Sequence, residues 1–420
     1  MKANPAHPTA AELLPFREAR KLAEAEAGRR RPAGAEAVRL LPSLGRVLAE
    51  EVAADRDLPP FPRATRDGYA VRAADLARLP AELKVIGEIR AGGSLDSSLG
   101  PLAGGCAAEI MTGAPVPAGA DAVVMVEYTS RQGDRVRIER GAAAGENVVP
   151  TGSEARRGDV LLPRGTRMTP AAIAAAAAAG KAEVRVHLRP RVAILPTGDE
   201  LVDIAAEPGA HQIRNSNSYS LAAQVEAAGG EAAQLAIAPD EREALRRLLE
   251  EGLAADLLLV TGGVSAGKHD LVEEVLSELG AEFLFTGALI QPGRPVVFGR
   301  APRRSGADAT PFFGLPGNPV STMVCFELFA RPVLDALSGA QPAPLQFVKA
   351  RLKSEVKTRT GLTRFLPAVL SGEFEEAQVE MVRWSGSGDV AAAARANCYL
   401  VVPPEAEKLA AGEMVSLLMR

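Results

Sequence analysis

Leu257-Leu258-Leu259-Val260-Thr261-Gly262-Gly263-Val264-Ser265 is the stretch that decides how this chain folds. A short aliphatic run closed by paired glycines predicts a buried strand passing into a tight loop. The stripe Leu271, Val272, Val275, Leu276 and Leu279 then predicts a helix. The same order recurs where Phe312-Phe313-Gly314-Leu315 opens into Pro316-Gly317-Asn318-Pro319-Val320-Ser321. The first N–H groups of a helix lack internal partners and the helix dipole is positive there, so each loop is suited to an anion. A phosphate-bearing ligand is the expectation.

Working outward, residues 188–338 alternate strand and helix signals. Val192 to Leu195 and Ala232 to Ala238 read as strands, Ser218 to Ala228 as a helix, and Asp240 as the start of another with Glu243 completing a capping box. The alternation predicts a parallel sheet covered by helices, with the loops after its strands along one edge. Residues 61–152 carry short β-branched runs between Gly and Pro clusters and predict a β-rich domain. Residues 1–60 read as helical, including Pro15 to Ala27 closed by Gly28 and a run around Leu44 to Ala49. The Ala-rich helix at 171–179, capped by Thr169 and stopped by Gly180, lies within 153–187 and is expected to return to the N-terminal helices. From 339 to 420 strand-like runs predict a small all-β domain.

Composition narrows the function. With 48 basic and 52 acidic residues the formal charge is −4, and aromatic residues make up 4%, so neither a phosphate backbone nor stacked bases are expected partners. Cys106, Cys325 and Cys398 are widely spaced, so neither a disulfide framework nor a zinc site is expected. The apolar run at 171–179 is about half the ~20 residues of a membrane span. With no secretory pattern in the first residues, a cytoplasmic protein is expected.

Four loops, at 197, 215, 261 and 316, share the predicted sheet edge. Gly262 and Gly263 permit close backbone approach, while Thr261 and Ser265 supply hydroxyls. Thr197-Gly198-Asp199-Glu200 places two acids after a strand, where Mg²⁺ finds oxygen ligands; an exposed turn explains the same residues. Asn215-Ser216-Asn217 reads equally as a plain helix cap. Asn318 and Pro319 make an efficient helix start, leaving Gly317 for close approach. Arg294 offers a bidentate cation, and Asp67-Gly68 reads first as a hairpin turn. Gly262-x4-Gly267-Lys268 matches the front of a P-loop, but His269 stands where Mg²⁺ would require Ser or Thr, which weakens an NTPase reading.

Taken together, Leu44-Gly45-Arg46-Val47-Leu48-Ala49, Asp67-Gly68-Tyr69-Ala70, Met111-Thr112-Gly113-Ala114-Pro115-Val116-Pro117, Thr197-Gly198-Asp199-Glu200-Leu201, Gly262-Gly263-Val264-Ser265 and Pro316-Gly317-Asn318-Pro319-Val320-Ser321 resemble, in order, the molybdopterin molybdenumtransferases, the MoeA and gephyrin E-domain family. The resemblance runs from about residue 10 to the C-terminus. It implies an α/β multidomain chain: a MogA-like parallel-sheet domain, a β-rich domain, a split helical N-terminal domain (1–60 and 153–187) and a small C-terminal β-barrel.

It further implies a homodimer that converts adenylylated molybdopterin and molybdate into molybdenum cofactor and AMP with Mg²⁺. Its expected partners are the molybdopterin adenylyltransferase and molybdoenzyme apoproteins. The implied catalytic residues are Asp67, supplied by the partner subunit, with Glu200 and Asp270. Substrate would be held by Thr112, Thr197, Gly198, Asp199, Gly262, Gly263, Val264, Ser265, Arg294, Pro316, Gly317, Asn318 and Pro319. Glu200, Asp270, Asp240 and Glu154 are the implied metal ligands. The chain departs from the pattern at Arg66, where methionine is usual, at Gln291, where a cation is usual, and at Glu154, where aspartate is common. A non-catalytic pterin-binding scaffold is therefore the main alternative.

Overall fold

The computed structural model describes residues 13–92, 100–263, 271–303 and 308–419. The central sheet runs in the order Glu231–Gln234, Arg191–Pro196, Leu257–Thr261, Thr310–Leu315, Val297–Ala301, Glu282–Phe285. The first four strands are parallel and the last two antiparallel, so a hairpin completes an edge where the sequence pattern predicted parallel strands throughout. Both faces are covered. Val192, Ile194, Leu257, Leu259, Phe313 and Leu315 enter one core, and Ala193, Leu195, Leu258, Val260 and Phe312 the other. That double burial is why these strands read as continuous apolar runs.

Helix Phe16–Arg29 packs Ala19, Ala23 and Ala27 into the first of these cores, alongside Phe329 and Val333. Gly28 lies inside that helix, which Arg30 ends by donating its N–H to Ala27 O. The helix expected around 44–49 does not form. Leu41–Ser43 makes a single tight turn, Gly45 adopts φ +76°, and Val47 and Leu48 bridge to Arg167 and Val186. Propensity there loses to long-range pairing: Ala35–Arg39 lies antiparallel to Glu183–His187, and Val52–Ala53 to Val160–Leu162. Thr169 caps helix Pro170–Ala178 through Ala172 N, and Gly180 follows at φ +75°. This helix packs on Leu48, Val52, Val184 and Val186 rather than on the N-terminal helix.

Between the two paired pieces lies a six-stranded mixed sheet within residues 68–138. The C-terminal region closes a ring of five strands, because Thr363–Ser371 pairs with both Gln378–Met381 and Cys398–Val402 while Phe347–Leu352 and Met414–Met419 complete the circuit. Ile290–Gln291 of the α/β region adds in parallel to Thr363–Arg364, joining the two units beside the candidate site. Among the described residues no helix is long and apolar enough to cross a membrane.

Candidate functional site

Strand register brings the predicted loops together. Pro196 pairs with Thr261, and Thr261 with Leu315, so Thr197, Gly262 and Pro316 leave the sheet side by side. Thr197 donates its N–H to Thr261 O at 2.9 Å, and Gly262 to Leu315 O at 3.2 Å. A Cβ on Gly262 would lie 2.4 Å from Thr197 O, and one on Gly263 2.7 Å from Thr197 Oγ1; both glycines also have positive φ. A Cβ on Gly317 would stand 3.6 Å from the Gly262 Cα. The three turns therefore meet backbone to backbone, which only glycine permits at 262 and 263. Val264, Ser265 and Asp270, with Gly267, Lys268 and His269 of the P-loop reading, lie outside the described residues.

The sequence left Asn215-Ser216-Asn217 evenly between a plain cap and a site loop, and the structure divides the two roles between its asparagines. The capping contacts belong to Asn215, whose Oδ1 accepts from Ser218 N at 3.2 Å. Asn217 instead donates from Nδ2 to Thr261 Oγ1 at 2.9 Å and to Gly317 O at 2.7 Å, tying two loops together. Its Oδ1 and the Thr197 Oγ1 are buried with no hydrogen-bond partner among the described residues.

The acids gather at the neighbouring turn. Asp240 donates its N–H to Asp199 Oδ1 at 3.0 Å. Burial first, then the charges of Asp199 and Glu200, raise the Asp240 carboxyl above its ordinary range. The expected capping box is displaced: Glu241 is the N-cap of helix Arg242–Gly252, its carboxylate accepting from Glu243 N and Ala244 N, which leaves Asp240 outside the helix. Glu154 stands elsewhere, in an exposed pair with Arg63 at 3.1 Å. No group of three or more His, Cys, Asp or Glu side chains suited to a metal ion occurs among the described residues.

Asp67 and Thr112, 45 residues apart, come together on the β-rich sheet: Asp67 Oδ1 accepts from Thr112 N at 2.7 Å and from its hydroxyl at 3.0 Å. These two bonds hold the Asp67 carboxyl below its ordinary range. Asp67-Gly68 is not a hairpin turn. Gly68 begins strand Gly68–Val71, pairs with Ile110 and Met125, and would carry a Cβ 1.9 Å from Val124 O.

Between the α/β region and the barrel lies a cavity of about 880 Å³. Arg294, Pro316 and Asn318 line it from one side and Lys357, Thr358, Arg359 and Arg364 from the other, with no acidic side chain among the described lining residues. Arg364 is only 8% exposed, and burial followed by the charge of Arg359 pushes its guanidinium pKa down. It donates from Nε to Gln291 Oε1 at 2.8 Å and from Nη1 to Leu362 O at 3.1 Å. Thr358 Oγ1 is buried with no partner among the described residues. Lys357 has an exposed partner in Glu355 at 3.6 Å, but Arg294, Arg359 and Arg364 meet no acidic side chain among the described lining residues, and with the unsatisfied Thr358 hydroxyl they make an environment that an oxyanion would complete. Sequence reading found Arg294 and missed the barrel residues, whose only signal is the charge of Arg364 inside the apolar run Phe365-Leu366.

Comparison with known proteins agrees with this architecture. Residues 14–180 match the model of the MoeA N-terminal region (domain I and II), 193–336 the probable molybdopterin binding domain and 349–419 the MoeA C-terminal region (domain IV). The chain is 35% identical over 389 residues to a molybdopterin molybdenumtransferase of Staphylococcus aureus strain Mu50, covering 91% of this chain and 90% of that one. It is 34% identical over 395 residues to the Bacillus subtilis strain 168 protein of the same name, covering 91% and 89%. The crystal structure of a molybdopterin biosynthesis MoeA protein from Pyrococcus horikoshii OT3 superposes with a TM-score of 0.76 at 31% identity, covering 97% of this chain and all of that one. Sequence, fold and the assembled loops agree: the chain belongs to the MoeA family of molybdopterin molybdenumtransferases.

Proposed function

We propose that this protein transfers molybdenum from molybdate into adenylylated molybdopterin, giving molybdenum cofactor and AMP. The observation that carries the reading is the cavity around Arg364 and Thr358, with no acidic side chain among its described lining residues and with Pro316 and Asn318 of the third turn in its wall. Substrate phosphates and molybdate are both oxyanions, and Arg294, Lys357, Arg359 and Arg364 would neutralise and orient them. Thr197, Gly198, Gly262 and Gly263, with Val264 and Ser265, would hold the pterin phosphate where the central strands end in these turns.

The charges of Asp199 and Glu200 bear on the Asp240 carboxyl, and an oxygen-seeking cation would relieve that repulsion. Glu200 and Asp240, with Asp270, would hold Mg²⁺, whereas Glu154, paired with Arg63 away from them, would not. When bound, Mg²⁺ would neutralise charge on the phosphate linkage being broken. In a homodimer, Asp67 and the Thr112 that holds it in one subunit would close over the α/β region of the other. There an ionised Asp67 would orient the reacting group. Gln291 accepts a hydrogen bond from Arg364 where a cation would repel it, so this departure from the family pattern is compatible with catalysis. A cytoplasmic setting, with the adenylyltransferase upstream and molybdoenzyme apoproteins downstream, belongs to the same reading.

The test is to mix purified protein with adenylylated molybdopterin, molybdate and Mg²⁺ and to quantify AMP and active cofactor together. Equimolar formation of both is expected. Pterin binding without AMP release would establish the scaffold reading instead.

A further inference from the structure

The segment Pro316-Gly317-Asn318 has each of its three carbonyls engaged from within the protein. Thr322 Oγ1 gives its single proton to Pro316 O, the shorter of its two contacts, Asn217 Nδ2 donates to Gly317 O at 2.7 Å, and Thr322 N donates to Asn318 O at 3.0 Å. In a trans peptide the carbonyl and the following N–H point in opposite directions. Drawing Pro316 O and Gly317 O inward therefore turns the N–H groups of Gly317 and Asn318 outward. Neither N–H has a hydrogen-bond acceptor among the described residues. Pro316 and Asn318 line the cavity that holds Arg294 and Arg364.

The orientation of the Asn217 amide follows from chemistry. Gly317 O can only accept, so Asn217 must present its NH₂ to it. The same NH₂ reaches Thr261 Oγ1, which anchors the clasp to the end of a central strand. A residue at the first position of helix Asn217–Ala227 would ordinarily be free to point to solvent, whereas this one bridges 100 residues of sequence to hold one peptide plane.

We propose that Asn217, with Thr322, is a positioning residue that sets the peptide planes at 316–318 so that the Gly317 and Asn318 N–H groups form a paired donor for a tetrahedral oxyanion in the adjoining cavity. Two adjacent backbone N–H groups aimed at one point make an anion-binding concavity. The inference rests on the reading of that cavity as an oxyanion site. It adds that the affinity is set from beneath, by side chains that never touch the ligand.

The experiment measures binding of tungstate and, separately, of AMP to the full-length protein by calorimetry, for wild type, Asn217→Asp and Thr322→Val. Asn217→Asp keeps the shape but sets a carboxylate against the Gly317 carbonyl, which can only accept, and Thr322→Val removes the hydroxyl under Pro316 O. Each is expected to weaken one or both anions about 10- to 100-fold, the worth of one or two hydrogen bonds to a charged group. Weakening confined to tungstate places the free oxyanion at the pair, and weakening confined to AMP places a phosphate ester there. In turnover assays the loss is expected in KM for molybdate more than in kcat, a split that general loosening of the fold would not give. Should Asn217→Asp fail to fold, Thr322→Val carries the test. Unchanged dissociation constants in every folded variant, or a wild type that binds neither anion, would overturn the inference. A wild type whose tungstate affinity depends on Asn217 but which releases no AMP would support it and remove the transferase reading.

Discussion

Arg364 and Gln291 are joined by a 2.8 Å hydrogen bond that spans the junction of the barrel and the α/β region. The buried guanidinium sits beside Arg359 and is already electrostatically crowded. Replacing Arg364 by Met should therefore lower kcat/KM for molybdate about 10- to 100-fold, mainly through KM, because a charged donor to the oxyanion is lost. Steady-state kinetics at two ionic strengths would check it, the wild type losing more affinity in salt than the variant.

Gln291→Lys places a second cation against Arg364 in a partly buried site. The expected result is a lower unfolding midpoint without substrate and recovery of that midpoint when tungstate is added, since an oxyanion would separate the two charges. Thermal unfolding with and without tungstate measures this; a variant as stable as wild type in both conditions would contradict the crowding at Arg364.

For Asp67, the two bonds from Thr112 favour the ionised carboxylate, so its folded pKa lies below the unfolded one. Its contribution to stability is accordingly present above the unfolded value and lost as pH falls through the folded value. Because Asp67 is exposed, that contribution is small. Asp67→Asn should leave the unfolding midpoint near wild type at neutral pH yet reduce cofactor formation at least about 100-fold if the charge orients the reacting group. AMP release measured alongside circular dichroism distinguishes loss of chemistry from loss of fold.

Asp240 has the opposite sign. Its folded pKa is raised, so folding loses stability as pH climbs from the unfolded value through the folded one, and the deficit persists at neutral pH. Asp240→Asn should raise the midpoint at pH 7 without divalent cation, by no more than about 1–2 °C given solvent screening. Added Mg²⁺ should then stabilise wild type more than the variant. Equal Mg²⁺ responses would remove Asp240 from the metal site.

Gly68→Ala tests the close approach on the β-rich sheet. With a Cβ 1.9 Å from Val124 O, strand pairing at Gly68 has to give way, and a loss of about 3 kcal/mol or more is expected. Denaturant unfolding should show a lower midpoint for this variant while tungstate binding to the folded fraction stays unchanged.

Much of this was legible in the chain because burial on both faces writes itself as uninterrupted apolar sequence, as at Leu257–Thr261 and Thr310–Leu315. Paired glycines announced the turns, since at 262 and 263 no side chain fits. The run at 44–49 misled because its residues tolerate a helix and only the distant strand Glu183–His187 decides otherwise. Asn217 stayed undecided for another reason: an asparagine at a helix start satisfies a local rule, and the partners that give it a different role lie 44 and 100 residues away. Arg359 and Arg364 carry no motif, because their meaning comes from facing Arg294 across a gap between two units.

The strands pairing Val52–Ala53 with Val160–Leu162, the bridge from Leu58 to Ala155 and the pairing of Arg63–Ala64 with Val148–Val149 run in succession toward the β-rich sheet. The sheet that carries Asp67 is thus an insertion mounted on a narrow double stalk, both of its connections leaving together. Ala64 and Val148 at the end of that stalk pack with Ala70, Ile110 and Val123 of the sheet, so the support and the strands behind Asp67 form one body, and the carboxylate's place is set by where the stalk leaves the rest of the chain.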